Sequence, residues 1–242
     1  MMPQLGLIVS DVCQVDDSIK NGRDHEIETA HGRVVLKLTD KWAVVCRSGF
    51  NGCYRMPHEY NTLAYLAALD SLGLKEIVGV HSSGSLRPSL APGTLVVPDD
   101  WIDFSGTAGR TTISGQRRYL TPSFSRKVRQ NLADAAWKAQ VRFENGGVYW
   151  QTCGPRLETK AEIKVMSNFA DLVGMGMALE ADLAQEMGLE YGAVCSVDNY
   201  ANGLGSPILT DEMIREQSLK SAAIIIRVLE QYPAPVVDGT LF

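Results

Sequence analysis

The run Thr152-Cys153-Gly154-Pro155-Arg156-Leu157-Glu158-Thr159-Lys160-Ala161-Glu162 concentrates more chemistry than any other stretch of this chain. Gly-Pro makes a rigid turn after an apolar segment, and Thr159 with Glu162 has the spacing of a capping box at a helix start. Such a turn can present Arg156 and Glu158 into a cleft at a strand's carboxyl end, where open α/β sheets bind ligands. The plainer reading is that Glu158 only supports the helix N-terminus, an effect of about 0.3–1 kcal/mol. Asp198-Asn199-Tyr200-Ala201-Asn202-Gly203 ends another apolar run. Asn and Asp there either make a turn or read a heterocycle through paired donors and acceptors. Cys46-Arg47-Ser48-Gly49 places an arginine suited to an oxyanion, or to a surface salt bridge. In His81-Ser82-Ser83-Gly84-Ser85-Leu86-Arg87, small residues let backbone N–H groups approach an anion, or simply make a turn. Gly6-Leu7-Ile8-Val9-Ser10-Asp11 is a strand followed by small polar residues, facing a ligand or making an ordinary turn. No G-x-G-x-x-G or G-K-[ST] follows it, which excludes dinucleotide and P-loop readings.

Other chemistries lack their residues. There is no G-x-S-x-G elbow, and Cys153 before Gly-Pro reads as a buried small hydrophobe rather than a nucleophile. Cysteines at 13, 46, 53, 153 and 195 form no C-x-x-C pair, so neither a disulfide framework nor a zinc site is expected. With 4 His and no H-E-x-x-H, a catalytic metal is not expected either. Lys+Arg of 23 against Asp+Glu of 28 gives a net charge of −5, which speaks against a broad nucleic-acid surface while allowing a local basic pocket. No apolar stretch approaches the roughly 20 residues of a membrane span. The start Met1-Met2-Pro3-Gln4-Leu5 lacks a signal-peptide pattern, so a cytoplasmic protein is expected.

The elements that must position these residues alternate along the chain. Short apolar runs at Leu5–Val9, Arg33–Leu38, Trp42–Cys46, Ile77–Val80, Thr94–Val97, Gly147–Tyr149, Leu172–Met175 and Tyr191–Val197 read as strands. His58–Leu72, Pro122–Ala139, Thr159–Asn168, Leu179–Met187 and Thr210–Gln231 have helical spacing. The alternation predicts an α/β fold with a parallel or mixed sheet covered on both faces. Ser105–Arg118 reads as one long polar loop, and the tail from Pro233 to Phe242 has no periodicity.

Taken in order, several of these segments resemble a known family. They are Gly84-Ser85-Leu86, Pro92-Gly93-Thr94-Leu95-Val96-Val97, Gly154-Pro155-Arg156-Leu157-Glu158-Thr159-x-Ala161-Glu162, Val173-Gly174-Met175 and the strand ending in Asn199. The family is that of the trimeric purine nucleoside and methylthioadenosine phosphorylases, nearest its methylthioinosine phosphorylase branch. The resemblance implies one phosphorylase/hydrolase-like domain over residues 1–242, a three-layer α/β fold with a central mixed sheet flanked by helices. It also implies a homotrimer and a pentosyltransferase reaction. Phosphate attacks C1′ of a purine nucleoside through an oxocarbenium-like state and the base departs. Inorganic phosphate is then a co-substrate, no metal or organic cofactor is needed, and neither nucleic acid nor membrane is a partner.

By the same resemblance, Glu158 and Asn199 are the catalytic pair. Glu158 accepts N1–H of the base, Asn199 bonds N7 and O6, and Leu157 joins them in the base pocket. Met175 lies under the ribose, and Ser10, Arg47 and Ser82 hold phosphate. A 6-oxopurine donates N1–H to Glu158, whereas neutral adenine would face one acceptor with another, a buried mismatch of about 1–3 kcal/mol. Inosine or 5′-methylthioinosine is thus favoured, with methylthioadenosine as a further candidate.

Three positions depart from the family pattern. Val9-Ser10-Asp11-Val12 replaces a Gly-Gly-Thr/Ser-Gly turn, Arg47-Ser48-Gly49 replaces Arg-His-Gly, and Gly176 stands where a hydroxyl follows Met175. A carboxylate at Asp11 about 4 Å from phosphate would cost several kcal/mol at an intermediate dielectric. The alternatives are therefore a nucleoside hydrolase, with water activated by Asp11 or a neighbour, or a non-catalytic nucleoside-binding relative. Hydrolases of the wider superfamily carry that carboxylate slightly later, where this chain has Gln14.

Overall fold

A computed structural model describes residues 3–10, 13, 16–50, 54–106, 119–205 and 209–235. Asp11, Gln14, residues 107–118 of the long loop and residues 236–242 of the tail lie outside the described residues.

The chain runs β1 (Leu5–Val9), α1 (Asp17–Lys20), β2 (Arg23–Thr29), β3 (Gly32–Leu38), β4 (Trp42–Cys46), α2 (Thr62–Ser71), β5 (Glu76–Ser85), β6 (Leu95–Val97) and β7 (Asp100–Asp103). It continues with α3 (Arg126–Lys138), β8 (Phe143–Asn145), β9 (Val148–Gln151), α4 (Lys160–Met166), β10 (Leu172–Gly174), α5 (Met177–Glu186), β11 (Glu190–Tyr200) and α6 (Asp211–Glu230). All the strands join one mixed sheet in the order β2-β3-β4-β1-β5-β10-β9-β7, with β11 bridging β5 to β6 and β6 pairing β8.

Successive strand residues point to opposite faces, and two main cores result, beside a smaller one of Leu86, Ile163, Met166 and Val173. Leu7, Val9, Val44, Val78 and Val80 pack with Val128 and Leu132 of α3 and Ile225 and Leu229 of α6. Ile8, Ala43, Val45 and Ile77 pack on the other face with Leu66 and Leu69 of α2 and Met177 and Ala184 of α5. Helices on both faces of the sheet make the three layers, and burial on both faces explains why the central strands read as unbroken apolar runs.

Several expectations are corrected. The stretch Ser82–Ser85 is not a turn: β5 continues through it, because β11 pairs with β5 in parallel from Glu76 to Ser85. Strands β2, β7 and β8 carry too few apolar residues to announce themselves. β2 is an antiparallel partner of β3 at the sheet's edge, and its charges pair across the hairpin, Asp24 with Lys37 at 2.7 Å and Glu26 with Arg33. Charged edge strands of this kind discourage further strand addition.

One feature of the sheet makes room for a ligand. On its other edge β5 changes partners: β1 pairs in parallel up to Gly79, and β10 pairs antiparallel from Gly84. Val80–Ser83 are left without a ladder partner on that edge. The carboxyl ends of β1 and β10 run toward each other across this gap, which is a topological switch point of the sheet.

Candidate active site

A cavity of about 310 Å³ opens at the switch point. Its wall includes Ser10, Arg47, Ser82, Leu157, Glu158, Met175 and Asn199, so the structure brings together every residue the resemblance assigned to nucleoside or phosphate. Ser10, Arg47 and Met175 directly follow β1, β4 and β10, and Ser82 lies on the unpaired stretch of β5.

On the Glu158 side, the geometry is set by bonds that leave valence to spare. Thr159 is the N-cap of α4, with its hydroxyl accepting from Glu162 N and Glu162 reaching back to Thr159 N at 2.7 Å. Capping therefore does not occupy Glu158. Glu158 is 7% exposed and lines the cavity, and its carboxylate accepts the Thr152 hydroxyl on Oε1 at 2.8 Å. Asn202 Nδ2 donates to the Glu158 carbonyl at 3.0 Å and fixes the backbone.

Asn199 owes its position to a β-bulge: Val197 pairs with Ser83 and Asn199 with Gly84, so Asp198 is the extra residue. Asp198 turns into the protein, where Ser196 (3.0 Å) and Ser218 (2.6 Å) donate to Oδ2 and Ser221 (2.7 Å) to Oδ1. One hydrogen of Asn199 Nδ2 goes to the Tyr200 carbonyl at 2.9 Å, leaving a second hydrogen and the amide oxygen for a ligand. Gly84 permits this packing, since a Cβ there would stand 3.2 Å from Asn199 Nδ2. Gly154, at φ +61°, does the same for Met175, whose Sδ would lie 2.5 Å from an added Cβ.

Arg47 is arranged differently. Its backbone N–H donates to the Val9 carbonyl at 3.0 Å, and its side chain turns inward. Nε and Nη2 fork onto Glu180 Oε1 (2.5 Å) and Oε2 (2.9 Å), and Nη1 donates to the Val80 carbonyl at 2.6 Å. The guanidinium thus fills the gap that the change of partners leaves in the β5 ladder. Nη2 also lies 2.9 Å from His81 Nε2, and Tyr191 donates its hydroxyl to Glu180 Oε2 at 2.7 Å. The pair is buried, with Arg47 3% and Glu180 1% exposed. Neither a free oxyanion ligand nor a surface salt bridge describes it.

The charges in this cluster hold one another in place. Burial alone would raise the Glu180 carboxyl, but Arg47 overrides it and holds the group down to about 2. Burial would lower the guanidinium, and Glu180 reverses that. For His81, burial first and Arg47 second push the imidazole down to about 4, so the ring is neutral at neutral pH. Arg47 can only donate, so Nε2 of His81 accepts and the ring proton sits on Nδ1. Among the described residues lining the cavity, Arg47 is the one Lys or Arg, and its charge is already balanced. Among the described residues, an anion bound here meets the hydroxyls of Ser10 and Ser82 but no uncompensated cation.

Two expectations at the turn are corrected. Arg156 does not reach the main cavity; it forks onto Glu162 at 2.9 and 2.8 Å and lines a smaller neighbouring hollow. Cys153 is exposed rather than buried, because it lies beyond the end of β9 (Gln151) and outside the sheet, with Sγ 3.4 Å from the Ser105 carbonyl. Glu180 and Thr152 were not singled out from sequence as site-building groups, and Asp198, a candidate turn or heterocycle contact in the sequence, instead faces inward and anchors the bulge. The visible signal for Glu180 was its place on the apolar face of α5 with Met177, Ala181 and Ala184, a position that the other two carboxylates of the helix, Asp182 and Glu186, do not share.

Known proteins agree with this architecture. The chain is 39% identical over 218 residues to a probable 6-oxopurine nucleoside phosphorylase of Archaeoglobus fulgidus, covering 88% of each chain. It is 30% identical over 223 residues to a probable S-methyl-5′-thioinosine phosphorylase of Methanocaldococcus jannaschii, covering 90% of this chain and 88% of that one. A solved methylthioadenosine phosphorylase from an Antarctic soil metagenomic library superposes with a TM-score of 0.83 at 25% identity, covering 96% of this chain and 85% of the other. The phosphorylase superfamily model matches residues 3–232. On a match of that extent, this chain is a member of the phosphorylase superfamily.

Proposed function

We propose that this chain is a purine nucleoside phosphorylase, a pentosyltransferase that prefers 6-oxopurine nucleosides, with inosine and 5′-methylthioinosine as the substrates to compare. The observation that carries the reading is the buried Glu158 carboxylate facing the cavity beside Asn199. In this reading Glu158 accepts N1–H of the base. The spare amide hydrogen of Asn199 meets N7, and Leu157 completes the base pocket. Met175 lies under the ribose, and Ser10, Ser82 and the Arg47 region receive phosphate. A phosphate oxygen forms a bond to C1′ as the bond from C1′ to N9 breaks. The electron pair leaves with the purine, where the Asn199 hydrogen at N7 stabilises it more in the transition state than in the bound nucleoside, while Glu158 selects and orients the base through N1–H. Inorganic phosphate is the co-substrate, and the reaction uses no metal or organic cofactor. The names of the Archaeoglobus and Methanocaldococcus relatives support the substrate class. Leu209 and Ile214 on the cavity wall support an apolar 5′ substituent such as methylthio. A homotrimer in the cytoplasm completes the proposal; light scattering on the purified protein tests the trimer.

The deciding assay follows hypoxanthine release from inosine and from 5′-methylthioinosine with and without phosphate. Phosphate-dependent release is the expected result. Release at the same rate without phosphate would make the chain a hydrolase, and no release under any condition would make it a binding relative.

A further inference from the structure

We propose that Thr152 is a positioning residue that sets the base preference through Glu158; this rests on the base-reading role given to Glu158 above. Thr152 is the first residue beyond β9, and its backbone N–H donates to the Gly174 carbonyl at 2.8 Å, which fixes it against the end of β10. Its hydroxyl has a single hydrogen and two acceptors in reach, Glu158 Oε1 at 2.8 Å and the Gly174 carbonyl at 3.4 Å. The shorter contact to a charged acceptor takes the hydrogen. Among the described residues, Thr152 is the one group that donates to this carboxylate.

Thr152 does not line the main cavity. It lines the smaller hollow behind Glu158, and Glu158 is the wall the two spaces share. The hydroxyl therefore acts from the far side: it occupies Oε1 and leaves Oε2 to be offered to the ligand. A donor held at Oε1 fixes the orientation of the carboxylate, so that its second oxygen stays presented to the ring edge instead of turning toward the rear hollow. A carboxylate oxygen held there accepts N1–H of a 6-oxopurine and meets the bare N1 of adenine as a second acceptor. Discrimination between oxo and amino purines is then built by two residues, of which only Glu158 touches the base.

Thr152→Val tests this, since valine keeps the shape and the backbone bond while removing the hydroxyl. The kcat/KM values for inosine and adenosine are measured for wild type, Thr152→Val and Thr152→Ser. The expected result is a fall of at least tenfold in the inosine-to-adenosine ratio and its recovery in Thr152→Ser. Thr152→Ala gives the same reading should the valine variant fold poorly. Equal losses on both substrates, or an unchanged ratio, would overturn the proposal while leaving the phosphorylase reading intact. A wild-type protein that releases no base from inosine would remove the function reading, and this inference with it.

Discussion

The two sides of the cavity solve opposite problems. Around Glu158 and Asn199, each polar group spends part of its hydrogen-bonding capacity on the protein and keeps part for a ligand. Around Arg47, the fork is engaged by Glu180, Val80 and His81 before any ligand arrives. The first arrangement is built to recognise a neutral heterocycle, whose edge offers donors and acceptors at fixed places. The second is built to hold the sheet together where β5 changes partners, and it offers an anion dipoles rather than net charge. A residue type that suits phosphate is thus no guarantee of a free phosphate ligand; the neighbouring carboxylate decides.

The largest expected effect is on the Arg47 side. Glu180→Ala would leave a buried guanidinium uncompensated, and urea unfolding should show a loss of about 3–5 kcal/mol. A loss below about 1 kcal/mol would mean that the charge reaches solvent through the cavity, and the contrast between the two sides would collapse. On the Glu158 side, Glu158→Gln should leave the fold intact and reduce discrimination between inosine and adenosine by about ten- to a hundredfold, equivalent to about 1–3 kcal/mol. Unchanged base preference would remove Glu158 from base reading.

A smaller effect separates the sides by pH. His81 is held down from 6.5 to about 4, so between those values the unfolded chain binds a proton that the folded one refuses. Glu180, held down from 4.5 to about 2, does the same in that lower window. Both make stability fall as pH falls, His81 below 6.5 and Glu180 below 4.5. Asp182 opposes them: burial first, then Asp103, raises it from 3.8 to about 6, so in that window the folded chain binds more protons. Between pH 6.5 and 4.5 the His81 loss slightly outweighs the Asp182 gain, so denaturation midpoints should decline a little as pH falls, and in His81→Gln they should instead rise. An identical slope in that variant would mean the ring titrates freely.

The smallest effect is a gain. At Gly176, φ −166° is open to any residue, and an added Cβ would meet Arg47 Nε at an ordinary 3.8 Å. Gly176→Ser should add a hydroxyl to the Arg47 side, lower the KM for phosphate several-fold and stabilise the N-terminus of α5 by about a few tenths of a kcal/mol. A KM for phosphate that does not move would show that the dipoles already present suffice.

The same contrast explains what the sequence made legible. Glu158 announced itself because the turn and the Thr159–Glu162 capping box are local, and local patterns survive in one dimension. Arg47 announced a strand end and an anion-binding residue type, but its partner Glu180 is 133 positions away, beyond the reach of any periodicity. The central strands were readable as apolar runs because both faces are buried. The continuation of β5 through Ser82–Ser85 was not, because its small polar residues look like a turn until β11 supplies the ladder. Residue spacing likewise gave no sign that Asp198 is bulged, since its partners Ser218 and Ser221 sit on a helix that follows it.

That bulge has a consequence for comparing this protein with others. Side chains along a strand alternate with a period of two, so the residue after Val197 would ordinarily take the place opposite Gly84. Asn199 takes it instead, one step late. A gap-free alignment with a relative whose strand is regular would put Asp198 in that place, exchanging an amide donor for a carboxylate and reversing the polarity read at N7. Counting along the chain and counting along the sheet disagree by one residue here, and the sheet is the one the ligand would follow.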